Sequence, residues 1–132
     1  MSLELDIAGG LPQVKADQLR LAQVLGNLVK NSLLHTPDGG EITVRAASSE
    51  GEVVFSVADT GSGINEEELP MIFERFYRTD RSRARATGGA GLGLSIARSL
   101  VEAQGGRIRA ESERGKGTTI SFTVPVFTEV DR

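Results

Sequence analysis

The segment Val53–Ile64 reads VVFSVADTGSGI and decides how the rest of the chain is interpreted. Six residues of strand-forming type run directly into an acidic residue and two glycines. A strand that is apolar on both faces usually lies in the middle of a sheet, so the pattern predicts a central strand. Its end would lie over the core, where burial of the Asp59 carboxylate is costly unless a donor satisfies it.

The end of this segment has two interpretations. Asp-x-Gly is common turn chemistry, so the strand could simply end in a turn. Alternatively, the exocyclic amino group of a purine would donate to Asp59, and Gly61 and Gly63 would leave the loop bare enough for a flat ring to approach. The segment alone favours the turn, and the rest of the chain reverses that preference.

The composition predicts a single soluble domain. The chain has 132 residues, of which 25% are charged and 39% hydrophobic, and its formal net charge is -3. The acidic balance disfavours general binding to nucleic acid or to acidic membranes. Cysteine is absent, which excludes disulfides and thiolate metal sites. No apolar run approaches the roughly 18 residues needed to cross a bilayer and no signal peptide is visible, so we expect a cytoplasmic chain.

A helix is predicted from Asp17 to about His35, with a polar row opposite its apolar stripe. Gln23, Asn27, Asn31 and His35 recur every fourth position and so lie along one face. A solvated face would account for them, but asparagine is a poor helix former and two of them one turn apart suggest a specific role. The sharper interpretation is a row of amide oxygens over a ligand and its magnesium ion.

Residues 78–87 contain four arginines and no apolar residue larger than alanine, which predicts a mobile loop. The arginines could serve solubility alone or bind phosphate oxygens, which guanidinium matches in geometry. The glycine-rich residues 88–94 follow and open a helix, so their bare N–H groups and the helix dipole predict a phosphate site. The glycine pattern is neither a P-loop nor a Rossmann fingerprint.

Alternating apolar residues predict four more strands, around residues 3–7, 42–46, 107–112 and 118–124. Taken in order, these features resemble the ATP-binding catalytic domain of bacterial two-component sensor histidine kinases, in the GHKL ATPase superfamily. The resemblance covers about residues 17–125. The segments that match its N, G1, F and G2 boxes and its closing strand-turn motif are 23–37, 59–63, 73–78, 89–94 and 115–118.

The resemblance implies an α/β (α+β) two-layer sandwich of the Bergerat type. A mixed five-stranded sheet would be covered on one face by three helices, within one domain over residues 1–132. A mobile ATP lid would occupy about residues 78–90.

The resemblance also implies roles for individual residues. Asp59 would accept a hydrogen bond from the adenine amino group, with Thr118 close by. Asn31 would bind magnesium, Asn27 would lie beside the phosphates and Arg78 would reach the γ-phosphate, which makes these three the implied catalytic residues. Further nucleotide contacts are implied for His35, Gly61, Gly63, Ile64, Gly89, Gly91, Leu92 and Gly93.

The implied function is that of a histidine protein kinase, which binds ATP with Mg2+ and donates the γ-phosphate to a histidine on a separate helical dimerisation domain. That domain is absent from the chain, whose single histidine is His35, so the chain alone should not autophosphorylate. The other implied partner is a downstream response regulator, with neither nucleic acid nor direct membrane contact. We expect a monomer on the cytoplasmic side of a parent protein that could be membrane-anchored.

Two positions bear on the alternatives. Leu34 stands where the family usually carries Lys or Arg, so Lys30 or a lid arginine would have to supply that charge. Asn27 stands where related ATPases carry a general-base glutamate, and an amide cannot take a proton from water. A GHKL-type ATPase is therefore disfavoured. An anti-sigma-factor-like serine kinase fits the 73–78 box less well, and the intact nucleotide motifs disfavour a non-catalytic adaptor.

Overall fold

The computed structural model describes residues 2–7, 18–36, 39–49, 51–74 and 93–125. Two α-helices, α1 (Gln18–His35) and α2 (Gly93–Ala103), pack against each other and against a sheet. The strands of that sheet are β1 (Ser2–Ile7), β2 (Glu41–Ser49), β3 (Glu52–Asp59), β4 (Ile108–Glu113) and β5 (Gly117–Pro125).

The strand order is β1-β2-β3-β5-β4, so β3 lies in the middle of the sheet. This confirms the central position predicted from its two apolar faces. The strands β2, β3, β5 and β4 form an antiparallel sheet, and β1 pairs in parallel with β2. The described residues therefore form an α/β fold whose antiparallel part carries the candidate site.

The core lies between the two helices and one face of the sheet. Val24 and Leu28 are one turn apart on α1, which gives them the same face of the helix. They pack with Ala97 of α2 and with Val57 and Ile120 of the central strands, and each of these five residues is at most 1% exposed. Burial of this apolar surface fixes both helices over the sheet.

The strand register creates a polar row at one end of the helix-covered face. Residues directly opposite each other on antiparallel strands have their side chains on the same face. The register pairs Asp59 with Thr118, and Thr118 with Ser112. The next row that shares this face pairs Val57 with Ile120 and is apolar. The core face thus changes from apolar to polar where β3 and β4 end and β5 begins.

After Ile64 the chain forms a 3-10 turn at Leu69–Met71, with Pro70 in that turn. Ile72 is buried, and Phe73 packs against the core. Residues 75–92, which include the predicted lid, lie outside the described residues, so the third helix and the lid stay predictions. None of the helices in the described ranges is long and apolar enough to span a membrane.

Candidate functional site

Asp59 is a buried carboxylate at the end of β3, with 7% of its surface exposed. Its Oδ1 atom accepts hydrogen bonds from the N–H groups of Gly61, at 2.9 Å, and Thr118, at 3.2 Å. The Gly61 bond is the local turn contact that the Asp-x-Gly sequence predicts. Among the described residues no group donates to Oδ2. Because an ionised carboxylate accepts at both oxygens, Oδ2 retains capacity for a donor on a ligand.

Two glycines beside Asp59 are required by the protein's own backbone. Gly63 has φ +75° and Gly117 has φ +117°, values that L side chains rarely adopt. A Cβ on Gly63 would overlap the carbonyl group of Glu113, and one on Gly117 would overlap the carbonyl group of Asp59. Gly63 therefore makes room for the β4–β5 turn. The opening for a flat ring that the sequence suggested at Gly63, and the nucleotide contact of this residue, both stay predictions.

Ser112 connects the loop that follows Asp59 to β5. Its Oγ accepts a hydrogen bond from the N–H group of Ile64 at 2.7 Å. The same Oγ lies 3.0 Å from the carbonyl oxygen of Gly117 and 2.8 Å from Oγ1 of Thr118. The predicted residues Ile64 and Thr118, both buried, are therefore held together by a hydroxyl that the sequence interpretation missed.

A sequence signal for Ser112 does exist. Ile108, Ala110 and Ser112 occupy alternate positions of β4 and so share one face of the strand. All three are half-buried, and the face that they share is the one that packs against the core. A hydroxyl that continues an apolar alternation into the end of a strand indicates a polar contact there.

The helix α1 brings its polar row to the start of α2. The side-chain amide of Asn27 donates from Nδ2 to the carbonyl oxygen of Gly93 at 3.2 Å. Asn27 and Asn31 are both half-buried, whereas Gln23 in the same row is exposed. A merely solvated face therefore does not describe the two asparagines. Gly93 is exposed, is the first residue of α2 and belongs to the glycine-rich residues 88–94.

The donor set around α1 suits a magnesium ion that arrives with a nucleotide. In the described ranges, no three His, Cys, Asp or Glu residues are grouped closely enough to hold a metal by themselves. Magnesium usually keeps several waters and takes few protein oxygens, with substrate phosphates completing its shell. The single amide oxygen of half-buried Asn31 fits that pattern and does not fit a protein-only metal site.

Some of the remaining predicted contact residues lie within the described ranges, and others lie outside them. Lys30, a candidate for the charge missing at Leu34, is exposed on α1. Residues that lie outside the description are Arg78, Gly89, Gly91, Leu92 and the side chain of His35. The described part of the site therefore has two groups, which we call the sheet-end group (Asp59, Thr118, Ser112) and the helix group (Asn27, Asn31).

Comparison with known proteins gives matches over most of the chain. Residues 16–128 match the family described as histidine kinase-, DNA gyrase B-, and HSP90-like ATPase. Sensor histidine kinase WalK of Bacillus subtilis is 46% identical over 118 residues, which are 88% of this chain and 19% of WalK. The chain spans between 19% and 31% of the length of the first curated relatives that it matches.

Two solved structures are also similar to this chain in fold and in sequence over most of its length. The crystal structure of full-length ShkA in complex with AMPPNP superposes with a TM-score of 0.84 at 36% identity, and the match covers 96% of this chain and 26% of ShkA. The structure of histidine kinase ThkA in complex with the response regulator protein TrrA has a TM-score of 0.76 at 32% identity, covering 95% of this chain and 34% of that one.

Proposed function

The chain belongs to the family of histidine kinase-, DNA gyrase B- and HSP90-like ATPases, and we propose that it is the ATP-binding catalytic domain of a sensor histidine kinase. In this proposal it binds ATP with Mg2+ and donates the γ-phosphate to a histidine on a separate dimerisation domain. The observation that carries the proposal is the buried Asp59 carboxylate, anchored at Oδ1 and without a described donor at Oδ2.

The sheet-end group would bind the adenine base. Asp59 Oδ2 would accept from the exocyclic amino group, and Thr118 lies in the same cross-strand row. Gly61, Gly63 and Ile64 would form the adjacent wall of the pocket, and Ile64 is buried beside that row. A base enclosed in this way would replace its contacts with water by contacts with protein groups that are already oriented. Such preorganised contacts favour tight binding.

The helix group would hold the triphosphate. Asn31 would contribute an oxygen to magnesium, and Asn27 fixes the start of α2, where the first helical N–H groups attract phosphate. Arg78, His35 and the glycine-rich residues Gly89, Gly91, Leu92 and Gly93 complete the proposed contacts. The proposal includes the lid over residues 78–90, and a full Bergerat-type layer of three helices on a mixed five-stranded sheet.

The chemistry that these residues support is phosphoryl transfer by positioning. A nitrogen of the acceptor imidazole attacks the γ-phosphorus while the bond from that phosphorus to the β–γ bridging oxygen breaks, and ADP leaves. Bound magnesium would neutralise charge on the phosphate oxygens. The chain's own task is to hold the base and phosphates still, so that the acceptor meets the phosphorus in line.

Hydrolysis is the weaker alternative. A water nucleophile needs a base within hydrogen-bond reach, and the residue at the relevant position of α1 is Asn27. Its amide nitrogen already donates to the Gly93 carbonyl, so this side chain serves to position α2. Slow phosphate release in the absence of an acceptor is expected.

The chain covers between 19% and 31% of the length of its first curated relatives, so the partners that we propose include another part of its parent protein. The domain with the acceptor histidine would belong to the same parent protein, and a response regulator would receive the phosphate from it. ThkA, a structural relative, is seen in complex with a response regulator. We propose a cytoplasmic location for the domain and a monomeric state for the isolated chain.

A transfer experiment tests this function. The chain is incubated with radiolabelled ATP and Mg2+, alone or with the separately purified dimerisation domain of its parent protein. Acid-labile label on the added domain, and none on this chain, is the expected result. A variant of the added domain with Gln in place of its histidine should remain unlabelled. Stable label on this chain, or rapid phosphate release without the partner, would contradict the proposal.

A further inference from the structure

We propose that Ser112 is a positioning residue that determines base specificity, because it fixes the hydroxyl group of Thr118 as a hydrogen-bond acceptor. The inference rests on the proposed function, since it concerns the base of the nucleotide bound there. Ser112 lies at the end of β4, directly opposite Thr118 in the strand register. Thr118 in turn lies directly opposite Asp59.

The hydrogen count at Ser112 allows one arrangement that satisfies all three of its contacts. A serine hydroxyl has one proton to donate and two lone pairs that accept. The N–H group of Ile64 can only donate, at 2.7 Å, and the carbonyl oxygen of Gly117 can only accept, at 3.0 Å. The single proton of Ser112 therefore points to Gly117. The third contact, 2.8 Å from Thr118 Oγ1, must then use the proton of Thr118.

This arrangement leaves the sheet-end group with only hydrogen-bond acceptors for a ligand. With its proton donated to Ser112, Thr118 has only lone pairs left for a ligand. The carboxylate of Asp59 likewise offers oxygens that accept. The amino group at position 6 of a 6-aminopurine has two hydrogens, so it can donate one to each of these acceptors. A 6-oxopurine has an acceptor at that position, so its carbonyl oxygen would face two acceptors with no proton between them.

Burial strengthens this effect. Thr118 is 4% exposed and Asp59 is 7% exposed, so little water is available to compensate for a mismatched base. If Ser112 is removed, Thr118 can rotate its proton towards the base and donate to a 6-oxo group. Loss of Ser112 should therefore reduce the preference for adenine, in addition to any general loss of affinity.

The test compares ADP with IDP, which has an oxo group at position 6 where ADP has an amino group. Dissociation constants for both are measured by calorimetry on the wild-type chain and on Ser112→Ala. We expect the wild type to prefer ADP, and the preference to fall about five- to tenfold in the variant, the size of one hydrogen bond. Ser112→Cys is the second variant, since a thiol of similar size keeps the packing but hydrogen-bonds weakly.

Two further variants separate positioning from general stability. Ser121→Ala makes the same change on β5 at a half-buried position of the opposite sheet face, and should leave the preference unchanged. In a Thr118→Val background, Ser112→Ala should have no additional effect on the preference, because the hydroxyl through which it acts is gone.

The outcomes distinguish the inference from the function on which it rests. If the wild type binds neither nucleotide, the proposed function itself is contradicted. If the wild type binds ADP but both Ser112 variants weaken ADP and IDP equally, Ser112 is only structural and the inference is overturned. It is also overturned if the wild type binds both nucleotides equally well. A reduced preference that depends on Thr118 supports it.

Discussion

The sheet-end group and the helix group are held in place by different means. Asp59, Thr118 and Ser112 lie in one cross-strand row. The side chains of Asp59 and Ser112 hydrogen-bond to backbone groups, and Oγ1 of Thr118 lies 2.8 Å from Oγ of Ser112. In the helix group, Asn27 has one bond, to Gly93, and Asn31 has none to the described residues. The proposed base-binding group is thus fixed by the sheet, whereas the helix group has fewer hydrogen bonds among the described residues.

The difference indicates how the binding free energy is divided. A group that is already oriented loses little conformational freedom when a ligand arrives, so its contacts contribute most of their strength. A half-buried amide such as Asn31 must still be ordered. We therefore expect changes in the sheet-end group to have large effects on any bound adenine nucleotide, and changes in the helix group to have smaller effects that depend on magnesium.

The largest effect is expected from Gly117→Ala, which should break the sheet-end group. The new Cβ would overlap the Asp59 carbonyl at a backbone angle that disfavours side chains. Strain and overpacking together should lower the free energy of unfolding by about 2–5 kcal/mol. Urea denaturation measures this loss, and ADP binding should fall with it.

Gly115→Ala is the matched control in the same turn. Gly115 also has a positive φ, of +83°, but a Cβ there would meet open space. Only the cost of the left-handed backbone remains, about 1–2 kcal/mol. Equal destabilisation by the two alanines would mean that the contact between Gly117 and Asp59 is unimportant.

The second-largest effect is expected from Asp59→Asn, which should separate the effect on nucleotide binding from the effect on folding stability. The two N–H groups on Oδ1 would hold the amide oxygen in its place, which leaves the NH2 group where Oδ2 was. A donor would then face the adenine amino group. ADP affinity should fall by about 1.5–3 kcal/mol, the value of a charge-assisted hydrogen bond. Calorimetric titration showing undiminished affinity would contradict the adenine assignment.

The smallest effect is expected from Asn31→Ala, which tests the contribution of the helix group separately from that of the sheet-end group. ATP binding without magnesium should be unchanged, because the base contacts are intact. The gain in affinity on adding Mg2+ should shrink by about 1 kcal/mol, as for one neutral polar contact. Gln23→Ala, on the exposed part of the same row, is the control. The same magnesium dependence in both variants would mean that Asn31 is not a ligand.

Local sequence patterns predicted the frame of the site well. Two apolar faces indicated that β3 is central, the pattern of α1 predicted its end at about His35, and an acid followed by glycines drew attention to Asp59. These features depend on residues that are close in sequence. Burial and periodicity therefore suffice to find them.

Contacts set by strand register were not predictable in the same way. The role of Ser112 depends on its position opposite Thr118, and the need for glycine at position 63 depends on the approach of Glu113. Likewise, the sequence associated Asn27 and Gly93 with phosphates, but not with each other. Residues this far apart meet only through tertiary packing, which one sequence does not reveal.

The two bonds to Asp59 Oδ1 also set an order for assembly of the site during folding. Its bond to Gly61 closes over two residues, whereas its bond to Thr118 joins groups 59 residues apart. Long-range contacts form later because a large loop must close first, at an entropic cost that local turns avoid. A nascent chain that ends before β5 can thus form the turn at Gly61 but cannot complete the proposed adenine site. Nucleotide would therefore stabilise only chains in which β5 has joined the sheet.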